Sequence, residues 1–271
     1  MLAYERFGSG EPLVLVHGIS HRRQAWYPVA EQLAEHREVI LFDLPGHGES
    51  PDLVGDGRPV KEILQDHLLE LFFELGLERP HIAGNSLGGR IALEAAADGL
   101  VSSATGLSPA GFWKGDRDFA YIRAHFAVLM TAARATRPVA PRLAGSGLAR
   151  KLMLGSLMTH GERLDRDRVV GDLTCMVRAR PALKTIMEGA FPFESPIGEG
   201  IPVTVAWGSK DRLLLPYQAE RARRQLPSAE HVWLEGSGHV PMSDDVAGVV
   251  DVLLRGSSHG LRSTIADVGV A

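Results

Sequence analysis

The pentapeptide Gly84-Asn85-Ser86-Leu87-Gly88 constrains this chain more than any other stretch. It lies between a short apolar run, Arg79-Pro80-His81-Ile82-Ala83, and strong helix formers from Leu87 to Ala97 that stop before Gly99. A serine in that place stands on a tight strand-to-helix turn, with a strained backbone and little room for side chains two positions to either side. Glycine at 84 and 88 answers that crowding. The bland alternative is a glycine-rich turn with an incidental serine. A serine hydroxyl is a poor nucleophile until an imidazole takes its proton, so the choice depends on a histidine and a carboxylate later in the chain.

Around this turn, apolar runs alternate with helix-like segments. Leu13–Val16, Val39–Phe42, His81–Ala83 and Val203–Trp207 read as strands, with weaker candidates at Ser102–Leu107 and His231–Glu235 and an edge strand within Leu2–Phe7. Helices are expected over Trp26–His36, Val60–Leu75, Leu87–Asp98 and Pro216–Leu226. The strands are continuously hydrophobic rather than alternating, which suits burial on both faces. The fold class is therefore α/β, a mostly parallel sheet with helices on both faces. From Gly111 to Pro196 the alternation stops, and Ala, Arg, Leu and Met recur at helical spacing, as at Phe119, Ile122, Phe126 and Leu129. This segment reads as an inserted helical cap. Residues 1–110 and 197–256 then form one core, 111–196 the cap, and 257–271 a loosely ordered tail.

At 45% hydrophobic and 23% charged, 271 residues suit one soluble domain with an insertion. A formal net charge of −4 and a pI near 6.3 speak against a nucleic-acid surface, and no apolar run is long enough for a membrane span. No leader pattern opens the chain, so a cytoplasmic location is the default. Cys175 is the one cysteine, which removes internal disulfides and Cys-based zinc sites and leaves a packing role. No phosphate-binding glycine pattern is present. Neither a metal nor another cofactor is expected, and the partner is a small-molecule substrate. The oligomeric state is left open.

In parallel sheets, ligands collect beyond the carboxyl ends of the strands. Those positions hold His17-Gly18-Ile19-Ser20, Gly84-Asn85-Ser86, Gly208-Ser209-Lys210-Asp211 and Glu235-Gly236-Ser237-Gly238-His239. With Asp43-Leu44-Pro45-Gly46-His47-Gly48-Glu49-Ser50 after the second main strand, and Ser86, Asp211, His239 in that order, the sequence resembles the α/β-hydrolase superfamily over residues 11–110 and 200–255. The resemblance implies Ser86 as nucleophile, His239 as general base and Asp211 as the carboxylate that orients the imidazole. It also implies an oxyanion hole made by the backbone N–H groups of Ile19 and Leu87. His17 is expected to shape the oxyanion loop, and Asp43 and His47 to fix their own loop. Asp43 and Glu235 are alternative acids to Asp211. Asp244 and Asp245 are expected to begin the last helix. Trp113 and Phe126 are candidate substrate contacts, against the bland reading that cap apolar residues are mostly core.

Ser86 in place of an aspartate disfavours the dehalogenase and epoxide-hydrolase branches. The leading expectation is a serine hydrolase that cleaves a small or medium, largely apolar carboxylic ester through an acyl-enzyme. Gly-Asn-Ser-Leu-Gly-Gly is also similar to the elbow of hydrolases that cleave a carbon–carbon bond in ring-cleavage products, although Val240 stands where that group carries Trp. Cofactor-free perhydrolysis through the same acyl-enzyme is a third reading, and a non-catalytic ligand receptor a fourth.

Overall fold

The computed structural model describes residues 1–258. The elements run β1 (Tyr4–Gly8), β2 (Pro12–Val16), α1 (Tyr27–Ala34), β3 (Glu38–Phe42), α2 (Val60–Leu75), β4 (His81–Asn85), α3 (Leu87–Ala97) and β5 (Ser103–Leu107). Five helices follow: α4 (Asp116–Thr136), α5 (Ala140–Leu143), α6 (Gly147–Leu154), α7 (Arg166–Arg178) and α8 (Arg180–Glu188). The chain then returns through β6 (Val203–Gly208), α9 (Tyr217–Gln225), β7 (Glu230–Leu234) and α10 (Val246–Gly256).

The seven strands lie in the order β1-β3-β2-β4-β5-β6-β7. Every neighbouring pair is parallel except β1 with β3, so the antiparallel strand is confined to one edge. Because successive side chains on a strand point to opposite faces, the continuous run in β2 divides in two. Leu13 and Leu15 pack with Val29 and Leu33 of α1 and Val249 and Leu253 of α10. Val14 and Val16 pack on the other face with Leu64 and Leu68 of α2 and Ile91 and Ala95 of α3. Burial on both sides is what an uninterrupted hydrophobic strand requires.

The strand expected at His81–Ala83 starts at His81 and runs on through Asn85, leaving Arg79 and Pro80 outside it. Pro80 has no N–H for a ladder, and Arg79 takes a turn conformation with φ 48°. Between β5 and β6 the described residues contain helices and no strand, as the sequence suggests. Of the tail expected to be loose over 257–271, residues 259–271 lie outside the described residues. Ser257 and Ser258 are held: Arg37 donates to Ser257 Oγ and O at 3.1 Å and to Ser258 Oγ at 2.9 Å. No described helix is long and apolar enough to cross a membrane.

The chain turns back across the sheet after β3, and β4 pairs with β2 on its other side. This reversal opens a crevice at the carboxyl ends of β2 and β4, where the loop after Val16 meets the loop after Asn85.

Candidate active site

Ser86 links β4 directly to α3 and has φ 57° and ψ −114°, a region costly to a residue with a Cβ. The conformation is enforced by packing on both sides. A Cβ on Gly84 would lie 2.1 Å from the carbonyl of Gly88, and one on Gly88 would lie 2.0 Å from Val16 O. The strand, the helix and β2 are therefore closer together at this corner than alanine would permit. Ser86 itself is 6% exposed and faces two cavities.

His239 follows β7 through Gly236-Ser237-Gly238, and its Nδ1 is 2.7 Å from Asp211 Oδ2. Both side chains are almost wholly buried. An ionised carboxylate only accepts, so the shared proton is on Nδ1 and Nε2 is left as the basic nitrogen. Asp211 Oδ1 accepts the N–H groups of Leu213 and Leu214 at 2.8 and 2.9 Å, which fixes the carboxylate plane. Ser86 and His239 line one small cavity together with Gly18, Ile19 and Ser20. His239 and Asp211 are joined directly at the carboxyl rim of the sheet, and Ser86 shares a cavity wall with His239 without a hydrogen bond to it among the described residues.

The backbone N–H groups of Ile19 and Leu87 donate to no protein acceptor among the described residues. Leu87 is the first residue of α3, where the helix leaves its N–H groups unpaired and its dipole is positive. Ile19 is held by an array around two histidines. His17 Nδ1 donates to Gly18 O at 2.7 Å, and its Nε2 accepts the Leu44 N–H at 3.0 Å. Burial, reinforced by His47 nearby, pushes the His17 pKa far below its usual value. It is therefore neutral, and Asp43 at 4.0 Å makes no ion pair with it. His47 is lowered to about 4, chiefly by burial. Its Nε2 accepts the N–H of Ser20, a residue held at φ 62° next to Ile19.

Asp43 is fully committed elsewhere. Its Oδ1 accepts Arg23 N–H at 2.6 Å, and its Oδ2 accepts Arg23 Nη1 at 2.5 Å and Glu49 N–H at 2.9 Å. Glu235 is exposed. Of the three candidate acids, Asp211 alone bonds His239 among the described residues.

One expectation is corrected. Asp245 caps α10, accepting Gly248 N–H at 3.0 Å, but Asp244 does not. Asp244 turns inward and accepts Gly238 N–H at 2.8 Å, Thr159 N–H at 2.9 Å and His160 N–H at 2.7 Å. It ties the loop that carries His239 to the helical insertion. Asn85, also passed over in the sequence, donates to the carbonyls of Leu107 and His239. An amide between a glycine and a nucleophile candidate was the available signal. Cys175 is buried, donates to His21 O at 3.2 Å, and its thiol is pushed up to about 11 by burial. The described residues hold no cluster of His, Cys, Asp and Glu arranged for a metal.

Trp113 and Phe126 both line the larger cavity that opens from Ser86, an apolar space of about 940 Å³ that is partly open to solvent. Trp113 stacks on Phe119 with ring centroids 5.0 Å apart. The walls come from α2, α3 and the helical insertion.

Comparison with known proteins gives the same architecture. An uncharacterized protein of Mycobacterium tuberculosis is 29% identical over 270 residues, spanning 93% of this chain and 77% of its own. Lipase 1 of Psychrobacter immobilis is 27% identical over 267 residues, covering 90% and 75%. The crystal structure of a membrane phospholipase A, a bacterial virulence factor, matches with a TM-score of 0.74 at 24% identity, over 95% of this chain and 83% of that one. The model of the alpha/beta hydrolase family matches residues 13–252, a span that includes the Ser86 turn, Asp211 and His239. The chain belongs to the alpha/beta hydrolase family.

Proposed function

We propose that the protein hydrolyses carboxylic esters of small or medium, largely apolar acids through an acyl-enzyme on Ser86. His239 Nε2 takes the hydroxyl proton as Oγ attacks the carbonyl carbon and returns it to the leaving alcohol; a water activated by the same nitrogen then releases the acid. Asp211 holds the Nδ1–H tautomer and stabilises the imidazolium. The Ile19 and Leu87 amides receive the developing oxyanion, a contribution of about 3 kcal/mol per donor in serine hydrolases. Trp113 and Phe126 contact substrate, and residues 111–196 act as a cap over it.

The observation that carries this reading is the 2.7 Å His239–Asp211 contact behind a serine held at positive φ, next to an apolar cavity. Its resemblance to a lipase supports the same reaction class. Of the residues lining the cavity, Arg90 and Lys61 share the single carboxylate of Glu94 at 2.6 Å, and the remaining walls are mostly apolar, as an apolar acyl group needs. The test is a fluorophosphonate label followed by a screen of aryl esters against a dienol keto acid. Labelling at Ser86 with ester turnover supports the proposal. Keto-acid turnover without ester turnover selects the carbon–carbon reading, and no label with no turnover leaves a receptor.

A further inference from the structure

The two cavities that meet at Ser86 differ in their lining. The smaller one contains His239; the larger does not. His239 must hand its proton to the leaving oxygen, so the alcohol half of an ester has to lie on the His239 side and the acyl half in the other cavity. The alcohol side is short, about 350 Å³ of empty space, and is lined by Ser20, whose buried Oγ has no partner among the described residues. The acyl side is long.

Its floor is α3, whose Leu87, Ile91 and Ala95 follow one another along one face at the spacing of successive turns. From Ser86 to Glu94 the helix rises about 12 Å at about 1.5 Å per residue. There Glu94 and Lys61 bring charge into the lining, as Arg90 does one turn earlier. Glu94 accepts from Lys61 of α2, from Arg90 and from Ser195 Oγ, each at 2.6 Å, and Arg90 Nη1 donates to Phe191 O at 3.0 Å. This ion cluster joins α2, α3 and the segment after α8, and its three charged side chains all line the cavity. A methyl terminus gains nothing by pushing into it, because paired charges would lose their partners.

We infer that the substrate is an ester of a linear, unbranched acid of about eight to ten carbons with a short alcohol, the chain lying along α3 and its end stopping at the Lys61–Glu94–Arg90 cluster. An extended chain gains roughly 1.3 Å per carbon, given a C–C bond of about 1.5 Å, so about nine carbons span the distance. This rests on the ester-hydrolase reading above.

The experiment uses the full chain and unactivated esters, with acid release followed by pH-stat. Two isomeric esters, methyl nonanoate and octyl acetate, have the same carbon count and differ only in which half is long. Methyl nonanoate is expected to have at least tenfold the kcat/KM of octyl acetate. Across methyl esters, kcat/KM is expected to rise about two- to fourfold per methylene from butanoate to nonanoate, the gain that burial of a CH₂ supports, and to fall beyond dodecanoate. Ala95→Leu places bulk on the cavity floor and is expected to move the best chain length down by two or more carbons. Gln65→Trp does the same from the less buried wall of α2, should Ala95→Leu fail to fold. Equal or better turnover of octyl acetate, or a flat chain-length profile, in a protein that still labels at Ser86 overturns the inference and leaves the hydrolase reading standing. Absence of both ester turnover and label overturns both.

Discussion

Asp211 reaches His239 with one carboxylate oxygen while the other is held by two backbone N–H groups, so its amide counterpart would keep the place and lose the chemistry. The Leu213 and Leu214 N–H groups claim the amide oxygen of an asparagine at 211, which leaves its NH2 facing Nδ1 and favours the wrong tautomer. Asp211→Asn is expected to lower kcat about 10⁴-fold, the size seen for the same change in serine-protease triads, with little change in the unfolding midpoint. Asp43→Asn is expected to do the reverse. It removes the buried negative charge that faces Arg23 and sets an NH2 group among donors, at a cost of about 2 kcal/mol of stability, although Arg23 keeps Glu5 and Glu49. Parallel kinetics and urea unfolding on the two variants check both; a larger kcat loss in Asp43→Asn at unchanged stability would reassign the acid.

Ser86 is held at φ 57° by its neighbours, so the turn is strained at this residue. Ser86→Gly is expected to abolish turnover and fluorophosphonate labelling while raising stability by about 1 kcal/mol, because glycine meets no steric cost there. Ser86→Ala is equally inactive without that gain. Denaturant midpoints for the three proteins measure the difference, and an unchanged or lower midpoint in Ser86→Gly would mean the turn stores no strain.

At Gly88 any side chain meets the Val16 carbonyl. Gly88→Ala is expected to cost about 3 kcal/mol, the upper range for an overpacked site. Gly198, where an added methyl group would find nothing within 4 Å, serves as the control, and Gly198→Ala is expected to stay within about 0.5 kcal/mol of the parent. Equal stability of the two variants would show that the corner between β2 and α3 relaxes freely.

His47 carries its own pH signature. Its folded pKa is about 4, so between the unfolded value near 6.5 and that value the unfolded chain binds the extra proton. Stability is therefore expected to fall by about 3 kcal/mol as pH drops from 6.5 to 4 on account of this group, and His17 acts in the same direction. Protonation also deprives the Ser20 N–H of its acceptor, so the loop bearing Ile19 should loosen first. Urea unfolding of the parent and His47→Gln at pH 7.5 and 4.5 isolates the effect. Curves that run parallel would remove His47 from it.

Most of the fold is readable from apolar runs and their punctuation. Val60–Leu75 is helical over the full expected span, and Val203 starts a strand where the run starts. Leu87 to Ala97 is helical because its residues favour helix and its start is fixed by the serine turn. The contacts of Asp244 with Thr159 and His160, and of Asn85 with His239, were not readable, since the partners lie 85, 84 and 154 residues away and carry no local periodicity. The same holds for Ser20, whose positive φ depends on an acceptor in the loop after β3. The positions of Ser86, Asp211 and His239 lie at strand ends, whereas the pairing of Lys61 with Glu94 on the cavity wall joins two helices. Spacing within either helix says nothing about that pairing.

The helical insertion leaves the sheet after Leu107 and comes back at Val203, two strands that pair side by side, Leu107 opposite Ala206. Its entry and exit are next-door neighbours, and Ser86, Asp211 and His239 all belong to stretches outside it. A different segment could therefore be spliced between these two strands without breaking the sheet or shifting those three side chains.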